Sequence, residues 1–171
     1  MTSAIIVCGS PGSGKTTYAR HLAAERGATL LDIDTATERL VKVGLAESGR
    51  SPDDRDSGYF KRTYREPIYQ ALFDIARENL AFNDVVIAGP FTKEIRDPGW
   101  PASLSTRIGA PVRVHYVQCD AAIRRQRLLA RGDARDRAKL EDWDVYIQYY
   151  GDEHPPAFEH VLVDGAGRSG Q

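Results

Sequence analysis

Residues 9–16 have the composition and spacing of a phosphate-binding loop. They read GSPGSGKT, a complete match to G-x-x-x-x-G-K-[S/T], between an apolar segment and a predicted helix. Glycines let successive backbone N–H groups point at phosphate oxygens, and the helix N-terminus adds its positive dipole end. The alternative is a chance glycine-rich turn, and the flanking elements argue against it. The residues expected to bind a nucleoside triphosphate are Gly9, Gly12, Ser13, Gly14, Lys15, Thr16 and Thr17, with Lys15 on the β- and γ-phosphates and Thr16 also on Mg²⁺.

Two acids, Asp32 and Asp34, lie where the second predicted strand ends. Alternation along a strand places both side chains on one side, and open α/β sheets bind ligands beyond the carboxyl ends of their strands. We therefore expect one carboxylate to lie near Mg²⁺ and the other to accept the proton of an attacking hydroxyl. The alternative is that Asp34 only caps a helix that begins at Thr35.

Arginines are concentrated late in the chain. Between residues 120 and 139 there are seven basic and three acidic residues, which gives this segment a net charge near +4. Guanidinium groups suit the charge that a triphosphate develops during phosphoryl transfer. Gly132 and Asp133 divide the segment into two arms, so residues 124–139 are predicted to form an arginine-rich lid. A solvated amphipathic helix is the alternative.

The order of elements predicts one α/β domain. Strands are expected at residues 4–8, 29–33, 84–88, 112–119 and 161–163, and helices at 15–26, 35–43, 66–82, 121–131 and 139–150. Gly44 is expected to end the second helix. Strands that alternate with helices indicate a parallel sheet covered on both faces, a three-layer α/β/α sandwich with five strands. The domain is expected to span residues 1–164, followed by a disordered tail at 165–171.

Composition narrows the function classes. The chain has 171 residues, 23 basic and 24 acidic, with a net charge of −1, which argues against a general nucleic-acid coat. No apolar run is long enough to span a membrane, and the N-terminus does not have the pattern of a secretory signal. The two cysteines, Cys8 and Cys119, lie in apolar strand-like segments and are expected to be reduced and buried. We therefore expect a cytoplasmic protein without a membrane partner, and the sequence does not indicate an oligomeric state.

These motifs together resemble the P-loop kinases, over the chain up to about residue 150. The resemblance is to the shikimate and gluconate kinase group and to the zeta-toxin and polynucleotide-kinase-like group. Shikimate kinases have a similar D-x-D after the second strand, and their third strand, like residues 85–90 here (VVIAGP), has no acid. The resemblance implies that Asp32 supports the metal through water and that Asp34 contacts the acceptor hydroxyl.

Two further segments carry weaker resemblances. Residues 127–131 (RLLAR) and the pair Arg135-Asp136 are similar to the lid of nucleoside monophosphate kinases. That similarity implies that Arg127 stacks on the nucleobase, Arg131 touches phosphate and Arg135 closes over the transferred group. Residues 60–66 (FKRTYRE) are loosely similar to the F-R-x-x-E segment with which shikimate kinases grip a carboxylate, which makes Arg62 and Arg65 candidates for binding the acceptor.

The sequence thus predicts an ATP- and Mg²⁺-dependent phosphotransferase that moves the γ-phosphoryl group to a hydroxyl of a small metabolite. Lys15, Asp34, Arg131 and Arg135 are the expected catalytic residues. One alternative is a kinase that acts on nucleic acid, at a 5′-hydroxyl or a modified base, and another is a nucleotide kinase. A nucleotide-regulated protein that binds ATP without phosphoryl transfer is the alternative from a different class.

Overall fold

The sheet has five parallel strands in the order β2-β3-β1-β4-β5. The computed structural model describes residues 1–150 and 153–167. The strands are β1 (Ala4–Cys8), β2 (Thr29–Asp32), β3 (Val85–Ala88), β4 (Val112–Gln118) and β5 (Val161–Asp164). β1 lies at the centre and every one of its residues is buried, as its unbroken apolar sequence indicates.

Helices cover both faces of the sheet. They are α1 (Lys15–Arg26), α2 (Ile33–Glu47), α3 (Gly58–Thr63), α4 (Arg65–Asn79), α5 (Trp100–Ile108), α6 (Ala121–Arg131), α7 (Arg137–Glu141) and α8 (Trp143–Tyr150). α1 packs on one face, against the side chains of Ile5, Val7 and Val86. α4 and α5 pack on the opposite face with the other side chains of the same strands. The three-layer α/β/α architecture with a five-stranded parallel sheet is therefore confirmed.

The sheet order separates the two strands that carry the phosphate loop and the paired acids. β3 lies between β1 and β2, and Ala88 is in register with both Val7 and Asp32. All three strands end at the same edge because they are parallel. β3 ends there at Ala88, which Gly89 follows, and such small residues leave room between the outer strands for side chains to meet.

The predicted end of the second helix at Gly44 is wrong. α2 continues to Glu47, and Gly44 lies within it. A Cβ atom at Gly44 would overlap the Tyr64 hydroxyl and approach the Tyr64 ring to 3.3 Å. Gly44 therefore permits close packing of Tyr64 against α2, although glycine has a low helix propensity.

Other boundaries differ less. β2 ends at Asp32, one residue earlier than expected, and the helix predicted at 139–150 is two helices, α7 and α8. Both cysteines are free and buried, as expected, and burial raises the pKa of Cys8 to about 12. Of the predicted tail, Gly165 donates its N–H to the Gln118 carbonyl, and residues 168–171 lie outside the described residues. Among the described helices, none is long and apolar enough to cross a membrane.

Candidate active site

The phosphate-binding loop connects β1 to α1 and lies against α6. Gly12 has φ +79°, and a Cβ atom there would lie 2.8 Å from the Arg124 carbonyl oxygen, so a side chain would be both strained and crowded. Gly14 is the N-cap of α1 and no described side chain caps this helix, which leaves its first N–H groups for a ligand. The hydroxyl of Ser13 is buried and has no hydrogen-bond partner among the described residues. The loop thus has the form of an anion cradle.

Lys15 begins α1 and lies among the charged groups expected at the site. Burial lowers the pKa of Lys15, and Asp34 and Asp32 oppose this shift by their negative charge. Arg131 and Arg135 lower the pKa further by their positive charge. The charges of both arginines are therefore felt at Lys15.

Thr16 and Asp32 form the candidate Mg²⁺ site. The Thr16 hydroxyl donates to Asp32 Oδ2 at 3.2 Å. Thr16 lies in α1, which follows β1, and Asp32 ends β2, which is not a neighbour of β1. One hydroxyl and one carboxylate, completed by phosphate oxygens and water, are the oxygen ligands that Mg²⁺ takes in such sites. The residues present therefore fit the ion.

The helix cap is Asp32 and not Asp34. Asp32 Oδ1 accepts the Thr35 N–H at 3.0 Å, and α2 begins at Ile33. The helix start, rather than strand alternation, sets the direction of Asp34, whose side chain is half exposed. The alternative that Asp34 only caps a helix is therefore wrong, and its carboxylate is available to a ligand.

Arg135 pairs directly with Asp34. Its Nη1 lies 2.9 Å from Asp34 Oδ1 and 3.5 Å from Glu38 Oε2, and its Nε lies 3.0 Å from Asp133 Oδ2. Burial alone would lower the pKa of Arg135, but these carboxylates raise it. The pair joins two residues that are about 100 positions apart in the sequence.

A cavity of about 290 Å³ opens beside these groups. Its wall includes Lys15, Thr16, Asp32 and Asp34 on one side. Most of the rest of the wall comes from α2, from residues 55–61, from α4 and from residues 131–139. We call it the larger cavity.

A smaller cavity of about 180 Å³ lies beside the phosphate-binding loop and is lined by Gly12, Gly14, Thr17, Arg127 and Leu128. Arg127 Nη1 donates to the carbonyl oxygens of Gly12 and Ser13, each at 3.2 Å. Lys15, Thr16 and Arg131 line both cavities. These three side chains therefore border both spaces.

The structure separates the two arginines proposed to grip an acceptor. Arg65 lines the larger cavity, with its Nη2 bonded to Glu94 Oε2 at 2.8 Å. Arg62 is exposed and does not line that cavity, whereas its neighbour Lys61 does. A helical start at Gly58 turns the two basic neighbours in different directions.

Several residues of the larger cavity were not predicted. Among them are Glu38, Arg55 and Phe60, and Lys139 also lines the cavity as the last residue of the predicted lid. No local pattern marks them, because the ion pairs Arg55–Glu38 and Lys139–Asp56 join distant segments.

Arg124 has a different environment from the other arginines of the predicted lid. Its side chain is fully buried, and its Nε donates to the Cys119 carbonyl at 2.9 Å and lies 3.5 Å from Glu153 Oε1. Glu153 also accepts from the Cys119 N–H at 3.2 Å and from the Tyr116 hydroxyl. These contacts anchor the base of α6 against the sheet.

A family model described as an AAA domain matches residues 5–152, which is most of the chain. The chain belongs to this AAA domain family. The matched residues of the AAA domain include the phosphate-binding loop, both acids and the arginine-rich segment.

Individual proteins resemble this chain over only part of its length or at low sequence identity. A shikimate kinase from Mycobacterium ulcerans (strain Agy99) is 35% identical over 74 residues, which cover 43% of this chain and only 39% of that enzyme. A candidate kinase from Chloroflexus aurantiacus j-10-fl has a TM-score of 0.67 at 21% identity and covers 95% of this chain and 86% of its own. A sugar kinase from Janibacter sp. HTCC2649 has a TM-score of 0.63 at 17% identity, over 98% of this chain and 87% of its own. These structural similarities confirm the fold that the resemblance to P-loop kinases implies.

Proposed function

We propose that this chain transfers the γ-phosphoryl group of ATP to a hydroxyl of a small molecule. The observation that carries the proposal is that Lys15, Thr16 and Arg131 line both cavities. A triphosphate in the phosphate-binding loop would place its terminal phosphate beside these three side chains, and an acceptor in the larger cavity would approach it there. We call the loop side, residues 9–17 with Arg127, the phosphate-binding end. The acceptor end is the wall of the larger cavity formed by α2, residues 55–61, α4 and residues 131–139.

At the phosphate-binding end, the loop N–H groups and Lys15 would hold the β- and γ-phosphates, with Arg127 on the nucleotide side. Thr16 and Asp32 are the residues that would hold Mg²⁺. When bound, the ion would neutralise charge on the β- and γ-phosphate oxygens. The depressed pKa of Lys15 reflects a desolvated lysine that an anionic ligand would stabilise in its charged form.

At the acceptor end, the Asp34 carboxylate would accept the proton of the attacking hydroxyl. The acceptor oxygen forms a new bond to the γ-phosphorus while the bond from that phosphorus to the bridging oxygen breaks, and ADP leaves. Arg131 and Arg135 lie beside Lys15 and would stabilise the charge on the transferred group. Arg135 must loosen its contact with Asp34 as the acceptor enters.

Residues 131–139 would act as the lid in this scheme. Arg135 contacts Asp34 and Glu38 on α2, and Lys139 contacts Asp56, which joins this segment to two other parts of the cavity wall and supports that role. Such a cover would exclude water and limit wasteful hydrolysis of ATP.

A small acceptor suits the cavity better than a nucleic-acid strand. The wall carries acids such as Asp34, Glu38 and Asp56 beside its basic residues, whereas a strand-binding groove is predominantly basic. The names of the relatives, a shikimate kinase and a sugar kinase, support the same class of acceptor.

The test is the transfer of label from γ-labelled ATP with Mg²⁺. One tube would hold pooled polyols, sugars, ring alcohols and hydroxy acids, and a second would hold 5′-hydroxyl oligonucleotides. We expect label in the first tube with the wild type, and none with Lys15→Met. Label on the oligonucleotide, with a steep dependence on salt, would replace this proposal with the nucleic-acid alternative. ATP binding without label in either tube would favour the binding-protein alternative.

A further inference from the structure

We infer that the acceptor is an uncharged alcohol that carries an apolar ring face, and not a carboxylate or a phosphate ester. This inference rests on the proposed function and specifies its substrate class. Two features of the larger cavity carry it: the cations at the acceptor end already have partners, and one wall is apolar.

The two arginines that are best placed to grip an anionic acceptor are held by acids. Arg65 Nη2 lies 2.8 Å from Glu94 Oε2, and its guanidinium also lies over the Tyr69 ring, 5.6 Å from the centroid. Arg55 Nη2 forms an ion pair with Glu38 Oε2 at 2.9 Å, without the geometry of a hydrogen bond, and the side chain of Arg55 is only 13% exposed. Both pairs are largely shielded from solvent.

The cations of the arginine-rich segment are paired in the same way. Arg135 lies 2.9 Å from Asp34, Lys139 Nζ lies 3.2 Å from Asp56, and Arg131 Nη2 lies 2.5 Å from Asp136. Lys61 also has an interaction partner. Within the described parts of the chain, each cation at the acceptor end is therefore already engaged.

An anionic acceptor would have to take one of these cations from its carboxylate. The abandoned acid would then lie partly buried without its partner, which is strongly unfavourable. An uncharged acceptor breaks fewer of these contacts, because its hydroxyl needs only the Asp34 carboxylate.

The apolar part of the wall lies close to Asp34. Ile33, Val41, Phe60 and Ile68 line the cavity, and they come from α2, α3 and α4. Phe60 presents an aromatic ring that is half-buried and stacks on Tyr64, with ring centroids 5.8 Å apart. Aromatic and branched aliphatic side chains of this kind favour a flat apolar face on the ligand.

The size of the cavity limits the acceptor to a small molecule. A volume of about 290 Å³ corresponds to about ten water molecules in the liquid, at ~30 Å³ each. That space suits a single ring with its hydroxyl groups and a short side chain.

The inference can be tested by ligand-observed NMR on the full chain, loaded with Mg²⁺ and a non-hydrolysable ATP analogue. The probes are matched sets of ring alcohols: cyclohexanediols and benzyl-type alcohols, the same rings with a carboxylate, and the same rings with an amine. We expect the uncharged members to bind about tenfold more tightly than their charged counterparts.

Two pairs of variants sharpen the test. Phe60→Ala removes the aromatic wall and should weaken binding of the uncharged probes by about three- to tenfold, whereas Phe82→Ala, at a fully exposed phenylalanine, should not. If Phe60→Ala does not fold, Phe60→Leu is used in its place. Glu94→Gln frees Arg65 and should raise the affinity for carboxylate probes by about tenfold, whereas Glu78→Gln, at an exposed acid, should not.

Preferential binding of carboxylate or amine probes to the wild type would overturn the inference. Failure of all three sets to bind would also overturn it. In each of these outcomes, transfer of label from ATP to any small alcohol would leave the proposed function standing. Loss of ATP binding itself would contradict the proposed function and the inference together.

Discussion

The phosphate-binding end takes its key groups from one continuous segment, residues 9–17, whereas the acceptor end takes them from four separate parts of the chain. At the phosphate-binding end, the backbone conformation forms most of the site, because Gly12 and Gly14 bend the chain and α1 presents its N-terminus. At the acceptor end, ion pairs such as Arg135–Asp34 and Arg55–Glu38 hold distant segments together. A site formed by adjacent residues, such as the phosphate-binding end, can be recognised as a sequence motif. A site formed by distant segments, such as the acceptor end, can be altered by substitutions at many positions. We therefore expect that proteins with this fold differ in acceptor specificity through substitutions at the acceptor end.

The largest effect is expected at the phosphate-binding end. Lys15→Met removes the cation that meets the terminal phosphates, so transfer should fall by at least about 10³-fold. Steady-state ADP release, measured with any accepted alcohol, checks this. Lys93→Met, at an exposed lysine that lines neither cavity, is the matched control and should keep wild-type turnover. Similar losses in both variants would contradict the assignment.

A smaller effect is expected from the lid. Arg135→Met should lower kcat by about 100-fold, because it removes a guanidinium that stabilises the transferred group. ATP affinity should change little, since Arg135 does not line the smaller cavity. Arg137→Met changes an exposed neighbour on the same segment and should leave kcat unaltered. An intact kcat in Arg135→Met would show that this segment only covers the cavity.

The packing of the acceptor end can be tested through its stability. Gly44→Ala should lower the free energy of unfolding by about 1–3 kcal/mol, because the new methyl overlaps Tyr64 although alanine is the better helix former. Urea denaturation of the single variants and of Gly44→Ala/Tyr64→Phe would measure the coupling between the two positions. We expect the double variant to recover part of the loss, since it removes the overlapping hydroxyl. Strict additivity would rule out this contact as the reason for the glycine.

The smallest effect concerns the support of α1. His115 Nδ1 lies 2.7 Å from the Tyr18 hydroxyl, and burial lowers the pKa of His115, with Arg26 and Arg113 acting in the same direction. The unfolded chain therefore binds this proton more readily, and the fold loses stability as pH falls from about 6.5 towards the depressed folded pKa. His115→Gln should have a flatter dependence of stability on pH over this range, whereas the exposed control His21→Gln should keep the wild-type slope. Equal slopes in all three proteins would contradict the shift.

Local signals and long-range contacts differ in how well the sequence predicts them. The strand, loop and helix from Ala4 to Arg26 follow from adjacent residues, because apolar burial, glycine conformations and helix propensity all act locally. The order of the strands does not follow from adjacent residues. Nothing in the sequence near Asp32 indicates that β3 lies between β2 and β1, or that Asp32 nevertheless contacts Thr16.

The same distinction explains the wrong helix end at Gly44 and the role of Asp34, which the sequence left open between function and capping. Gly44 has the sequence signature of a helix stop, and only the approach of Tyr64, 20 residues later, accounts for its place inside α2. Asp34 is close enough to a helix start to serve as a cap, but Asp32 takes that role while also accepting from Thr16. The partner of Asp34 is Arg135, and no local pattern joins two residues so far apart.

The central claim is that the phosphate-binding end and the acceptor end are separate parts of one reaction site. The most direct test measures ATP affinity by calorimetry and label transfer for Asp34→Asn beside Lys15→Met. We predict that Asp34→Asn keeps ATP affinity within about threefold of the wild type and lowers transfer by about 10²–10⁴-fold, while Lys15→Met loses both. Equal loss of ATP affinity and transfer in Asp34→Asn would contradict the account, because Asp34 would then belong to the nucleotide site.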